Sequence, residues 1–381
     1  MGDAPRLFIV AGEVSGDRLG ADLVRRMRAE RAVEIMGVGG DALGGEGLAS
    51  LFPMSDLSVM GLRDVLLRLP LLLRRIRQTA DAIMATKPDV VVLIDSQVFS
   101  QKVAERLRKG GYDGTIVLYV APSVWAWRPE RATTLKPLFD EVLAVLPFEP
   151  AVMKRLGGPP TTYVGHPALE NTSLRPRVPD KGPLLLLPGS RKSELRRHLP
   201  IMQAAAMMLR KHDRVTGYVL PTLKSVEPQV LEAVAAWQTP VFVTTSNAAK
   251  WQAYRDAVGA IAVSGTVTLE LALSGVPMVA TYVAEQAQAR LYLKYKARFI
   301  TLPNILVGEE VVAEVKGLKP EPERVVEEML ALLDDSKRIG EQLAAFARIR
   351  AGMQKGAPDA PLENASDRVF ALLDQRRSMA T

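Results

Sequence analysis

The amino-acid sequence predicts an α/β chain with two parallel-sheet domains facing a cleft, and three observations carry that prediction. Short apolar runs alternate with longer patterns of helical period along the chain, which is how strands joined by helical crossovers read. In each half, one such run leads straight into a glycine turn that opens a helix: Leu7-Phe8-Ile9-Val10 into Ala11-Gly12-Glu13-Val14-Ser15-Gly16-Asp17, and Leu184 to Leu187 into Pro188-Gly189-Ser190-Arg191-Lys192-Ser193-Glu194-Leu195. The length, 381 residues with 48% apolar content, suits two cores better than one.

In the first half, strands are expected at 7–10, 34–38, 90–94, 115–120 and 141–145, with a short one at 162–164 that ends a first domain, 1–167, at Gly165-His166-Pro167. The stretch 168–182 is rich in Pro and charge and reads as a linker. A second domain, 183–350, restarts with strands at 184–187, 217–220, 241–243, 260–263 and 278–281 and closes with helices at 321–333 and 335–350. A polar gap, 351–364, precedes a last helix at 365–375, and this tail, 351–381, is expected to pack back on the first domain.

Composition narrows the function. Basic residues outnumber acidic ones by 49 to 42, a net charge of +7 that suits an anionic partner: nucleotide, nucleic acid or acidic membrane face. With 6% aromatics and no basic track along an aromatic-rich strand face, nucleic acid is the least attractive of these. The absence of cysteine excludes disulfides, thiolate metal sites and cysteine nucleophiles. Only His166, His198 and His212 are present, so no histidine-built metal centre and no cofactor is expected. The N-terminus lacks a basic start followed by an apolar stretch, and no apolar run reaches the roughly 18 to 20 residues of a spanning helix, so a cytoplasmic protein without signal peptide is expected. Leu62 to Arg77 is rich in leucine and arginine; it reads either as a helix on an anionic membrane surface or as a buried helical hairpin broken at Pro70.

Ligands of such sheets bind outside the carboxyl ends of the strands, which singles out particular residues. Gly12, Glu13, Ser15 and Gly16 follow the first strand, and Gly189, Ser190 and Arg191 open the second domain. Glycine admits close approach, the first helical N–H groups lack intrahelical acceptors, and the helix dipole favours negative charge. Arg191 adds a planar fork that matches phosphate oxygens. Neither loop has Walker spacing or a full dinucleotide fingerprint, so each reads as an anion site or as a plain turn. Asp95 closes the 90–94 strand, where a carboxylate takes a proton from an attacking hydroxyl or caps the next helix. Ser264-Gly265-Thr266 offers a second phosphate site, with Glu270 one turn on as a partner for ribose hydroxyls; a simple cap with a solvated glutamate is the alternative. Trp125 and Trp127 lie two apart in a post-strand loop beside Arg128, where indole faces serve sugar rings or acyl chains or wall a domain interface.

Together these segments resemble the lipid-A-disaccharide synthase family. The likeness is carried by Ala11 to Asp17, Leu57-Ser58-Val59-Met60-Gly61, Lys87-Pro88-Asp89, Tyr119-Val120-Ala121-Pro122-Ser123-Val124-Trp125-Ala126-Trp127-Arg128, Pro147-Phe148-Glu149 and Val164-Gly165-His166-Pro167. In the second half Leu187 to Arg191, Ser264 to Glu270 and Leu302-Pro303-Asn304 carry it. The resemblance implies two Rossmann-like domains of the GT-B glycosyltransferase fold. It further implies an inverting transfer from UDP-2,3-diacylglucosamine to 2,3-diacylglucosamine 1-phosphate, giving the β(1→6)-linked disaccharide 1-phosphate and UDP. On that mapping Asp95 is the base, Arg191 the essential basic residue by the donor pyrophosphate and Glu270 the ribose partner, and Asn304 joins the substrate-binding set. It places the enzyme peripherally on the cytoplasmic face of the inner membrane and leaves a homodimer open. Other readings of the same features are a GT-B transferase using a polyprenyl-linked acceptor, or a nucleotide-sugar binding module without turnover. The chain departs from the family where Ser96-Gln97-Val98-Phe99 follows Asp95: many members carry Ala-Pro-Asp-Phe, so a second carboxylate is missing. The segment Ala284 to Arg298 and the chain beyond Glu314 also match poorly.

Overall fold

The computed structural model describes residues 4–57, 62–285 and 298–380. Residues 58–61 of the Leu57 to Gly61 motif, and 286–297 of the poorly matching Ala284 to Arg298 segment, lie outside that description. The chain divides into two compact units, Met1–His166 with Lys355–Thr381, and Pro167–Gln354.

The first unit is a six-stranded parallel sheet built from β1 (Arg6–Ala11), β2 (Glu34–Val38), β3 (Val90–Ile94), β4 (Thr115–Tyr119), β5 (Glu141–Ala144) and β6 (Thr161–Tyr163). Their spatial order is β2-β1-β3-β4-β5-β6. All five side chains of β3 are buried, which is why Val90 to Ile94 reads as an unbroken apolar run rather than an alternating one. The order reverses at β1: the chain steps to β2 on one side and later to β3 on the other. A crevice therefore opens beyond the carboxyl ends of β1 and β3.

The second unit repeats the plan with β7 (Gly182–Leu187), β8 (Val215–Pro221), β9 (Phe242–Thr244), β10 (Gly259–Val263), β11 (Met278–Val283) and β12 (Ala313–Gly317) in the order β12-β11-β10-β7-β8-β9, again all parallel. Here the order reverses between β7 and β10. The edge strand β12 has no counterpart in the sequence reading, because Ala-Glu-Val-Lys-Gly lacks an apolar run.

Three further segments differ from expectation. Leu62–Thr86 is one 25-residue helix with Pro70 inside it, so the break required by the hairpin reading is absent. The proline removes one donor from the helical ladder, and the flanking turns continue on both sides. Leu72 and Ile76 pack on the core, and Arg75 pairs with Asp56 at 2.7 Å, whereas Arg68, Leu69, Leu73, Arg74 and Arg77 are exposed. The stretch 168–182 starts with the short helix Ala168–Asn171 and is tied into the second unit, where Arg175 donates to the carbonyls of Gly275 at 2.8 Å and Ala257 at 2.6 Å. The helix Ser336–Lys355 runs past residue 350, and the last helix, Ala365–Ala380, packs in the first unit. There Arg368 grips Glu141 through two bonds of 2.7 and 2.6 Å, and the Thr162 hydroxyl donates to the same carboxylate. Among the described residues no helix is long and apolar enough to cross a membrane.

Candidate active site

At the reversal point of the first sheet, Gly12 leaves β1 so close to the β3 loop that a Cβ on it would run into the Ser96 side chain. Glu13 and Ser15 are exposed beside it. Gly16 is not: it is buried, and a side chain there would press on Ile94, so it allows close helix–sheet packing. Asp17 is likewise structural, its buried carboxylate accepting from the N–H groups of Gly40, Ala42 and Leu43 at 2.7, 2.8 and 3.2 Å.

Asp95 sits half-buried at the carboxyl end of β3 in a left-handed conformation (φ 51°), followed by Ser96 at φ 42°. Its N–H bonds the Tyr119 carbonyl at 2.9 Å and its carbonyl accepts from the Ser100 hydroxyl at 2.8 Å, so the turn is pinned at both ends of its peptide. The helix Gln97–Lys109 begins after Ser96, which occupies the N-cap position. Val120 at φ 79° and Arg128 at φ 51° continue the pattern in the loop after β4. A β-branched residue there is an outlier, and the Gln97 amide, donating to the Val120 carbonyl at 3.1 Å, helps hold it. Strain concentrates where the loops after β3 and β4 adjoin. Val98, at the place of the missing second carboxylate, is 71% exposed.

The two tryptophans of the β4 loop diverge. Trp125 turns inward, edge-on to Phe148 at 5.4 Å, and donates its indole N–H to Glu149 at 3.2 Å. Trp127 stays at the surface, with the Arg128 and Arg131 guanidiniums 5.1 and 5.6 Å from its ring. Glu149, absent from the sequence-derived candidates, also accepts from the N–H groups of Val145 and Leu146 at 3.2 and 3.0 Å. Burial pushes its carboxyl up to about 7 against the pull of these donors. Its only trace in the sequence is its place in Pro147-Phe148-Glu149.

The reversal point of the second sheet collects Gly189, Ser190 and Arg191 after β7 and Ser264, Gly265 and Thr266 after β10. In the β7 loop two backbone N–H groups, those of Ser190 and Arg191, are already engaged by a side chain. The Glu194 carboxylate accepts from Ser190 N–H at 3.0 Å and Arg191 N–H at 3.3 Å, and pairs with the Arg191 guanidinium at 2.9 Å. Gly189, at φ 104°, is required twice over, since a Cβ would also strike that carboxylate. The β10 loop keeps its character. Ser264 donates to the Ile300 carbonyl at 2.5 Å, and the helix Thr266–Leu273 starts at exposed Gly265 with no side-chain cap; Thr268 N–H already bonds the Gly265 carbonyl at 3.1 Å, and the Thr266 and Val267 N–H groups before it lack intrahelical acceptors. Glu270 is half-buried and pairs with Lys250 at 2.5 Å, whose ammonium lies 4.4 Å from the Trp251 ring centre.

Asn304 is placed differently from expectation. It is fully buried; its amide donates to the Val312 carbonyl and Glu314 at 2.8 and 2.9 Å and accepts from Val311 and Val312 N–H at 2.9 and 2.8 Å. With its amide bonded on both sides, it braces a loop. Glu314 of β12 completes the brace by accepting from Ile300 and Thr301, which ties the 300–304 turn beside Ser264.

Solved structures share this architecture. The glycosyltransferase of kitacinnamycin superimposes with a TM-score of 0.60 at 15% identity, covering 98% of this chain and all of that one. The calicheamicin glycosyltransferase gives 0.58 at 17%, covering 98% and 99%. A Neisseria meningitidis UDP-GlcNAc 2-epimerase bound to UDP-GlcNAc gives 0.60 at 11%, covering 98% and 99%. The class is therefore the two-unit α/β architecture of GT-B glycosyltransferases. Sequence narrows it further. The family model for lipid-A-disaccharide synthetase matches residues 7–361. Lipid-A-disaccharide synthases of Nitrobacter hamburgensis (42% identical, 98% of this chain and 96% of that protein) and Rhodopseudomonas palustris BisB18 (43%, 97% and 96%) align along it. The chain belongs to the lipid-A-disaccharide synthase family and is a glycosyltransferase of lipid A biosynthesis.

Proposed function

We propose that the chain joins UDP-2,3-diacylglucosamine to 2,3-diacylglucosamine 1-phosphate with inversion, releasing UDP. The observation that carries this reading is the family match over residues 7–361 together with the loops it supplies at both sheet reversal points. The acceptor 6-hydroxyl oxygen attacks the anomeric carbon while the bond from that carbon to the diphosphate breaks. Asp95 receives the hydroxyl proton, and the departing UDP keeps the bonding electrons. Arg191 and the uncapped helix start at Gly265-Thr266 stabilise the charge that develops on the diphosphate. Glu270, steadied by Lys250, holds the ribose hydroxyls. Trp127 with Arg128 offers an aromatic face beside positive charge to the acylated acceptor phosphate, and Glu13 and Ser15 line the same crevice.

The substrates are lipids, so the enzyme meets them at a membrane. Leu69 and Leu73, exposed on one helical face with Arg68, Arg74 and Arg77 around them, form the docking surface for an anionic cytoplasmic leaflet. Replacement of Asp95 by Asn tests the catalytic assignment: turnover should fall roughly 100-fold or more with UDP affinity unchanged, because a general base contributes about that much and does not touch the donor. Near-normal turnover would remove Asp95 from the chemistry.

A further inference from the structure

We infer that Glu194 is the positioning residue of the donor loop: it acts through Arg191 and touches no substrate. The inference rests on the reading of Arg191 as a donor-diphosphate residue and adds what aims it.

Glu194 is buried, its side chain 12% exposed, while the Arg191 side chain it pairs with is 61% exposed. One carboxylate oxygen takes the N–H groups of both Ser190 and Arg191, and the other takes the Arg191 guanidinium at 2.9 Å. A single buried anion thus fixes the loop backbone and the direction of the cation that leaves it. Such charge-assisted bonds are the stronger kind. Glu194 is itself braced from behind. His198, fully buried, has Nδ1 2.8 Å from the Glu194 carbonyl, and its Nε2 accepts the Val283 N–H at 2.9 Å. Because Val283 supplies the proton to Nε2, the neutral ring carries its own hydrogen on Nδ1 and donates to Glu194. Burial, which lowers the basicity of His198, favours that neutral form. The strut runs from the end of β11 through His198 and Glu194 to Arg191. It leaves the diphosphate to the guanidinium and the Thr266–Leu273 helix start, since the Ser190 and Arg191 N–H groups are already taken.

The test is a double-mutant cycle with Arg191→Ala, Glu194→Gln and the pair, reading UDP affinity by calorimetry, KM and kcat for the donor, and thermal melting. Glu194→Gln should weaken UDP binding and raise the donor KM by about tenfold, with a smaller change in kcat. The double variant should bind UDP no worse than Arg191→Ala alone. Wild-type UDP affinity in Glu194→Gln, or losses that multiply in the double variant, would overturn the inference while leaving Arg191 in the donor site. Unchanged UDP binding in Arg191→Ala overturns the donor-site reading itself and the inference with it. If the Gln variant does not fold, Glu194→Asp replaces it. That variant keeps the charge and loses one methylene, so affinity between wild type and Arg191→Ala is expected, and wild-type affinity again overturns the claim.

Discussion

Replacing Glu149 by Gln probes the buried carboxylate that holds the tryptophan loop, and its effect has a definite sign with pH. The folded protein keeps this carboxyl protonated up to about 7, against 4.5 for the free group. The folded state therefore binds the proton more tightly than the unfolded chain, and its contribution to stability is full below 4.5 and lost as pH rises through about 7. At ~1.4 kcal/mol per pH unit, the gap is worth roughly 3 kcal/mol, most of it between pH 5 and 8. Gln has the same shape and no charge, but it cannot accept from Trp125, Val145 and Leu146 together as the carboxylate does, at a cost of about 1 kcal/mol for the bond lost. The variant should be slightly less stable than wild type at pH 5 and more stable at pH 8. Urea unfolding across that range, followed by tryptophan fluorescence, measures the difference. Parallel stability curves, or a wild type that gains on the variant as pH rises, would refute the reasoning.

Arg368→Ala strips its partner from Glu141, whose side chain is 2% exposed, and should cost about 3–5 kcal/mol by denaturant unfolding, with Glu141→Gln in the same chain restoring part of it; a loss under about 1 kcal/mol would show that the last helix is not anchored there. Leu69→Ser with Leu73→Ser and Arg74→Gln should reduce sedimentation with anionic vesicles and keep activity on detergent-dispersed acceptor, because these side chains are exposed while neighbouring Leu72 and Arg75 serve the fold. Equal loss in detergent would count against membrane docking.

Both sheets were legible, β12 apart, because most of their strands are apolar runs, and β1 and β7 lead into the glycine turns at the reversal points. What escaped has a common cause. Glu149, Glu194 and Glu314 were not singled out as sites in the linear sequence, yet all three are buried under N–H donors, from the preceding turn for Glu149 and Glu194 and from the 300–301 segment for Glu314. Glu194 alone left a signal: it stands three residues after Arg191 at a helix start, the spacing at which a carboxylate reaches back to the turn. Asn304 shows the opposite case. It belongs to a recognisable motif, but the motif is a brace, and only the fold shows its amide bonded to Val311, Val312 and Glu314. Pro70 suggested a break where packing of Leu72 and Ile76 sustains a single helix.

The central claim is tested most directly by incubating the purified chain with donor and acceptor, each with and without its acyl chains, and measuring UDP release alongside the mass of the product. UDP should appear only when both acylated sugars are present, in step with one new species of the mass of the tetra-acyl disaccharide 1-phosphate. UDP release from non-acylated UDP-N-acetylglucosamine at equal rate, or conversion of the donor without any acceptor, would contradict the account.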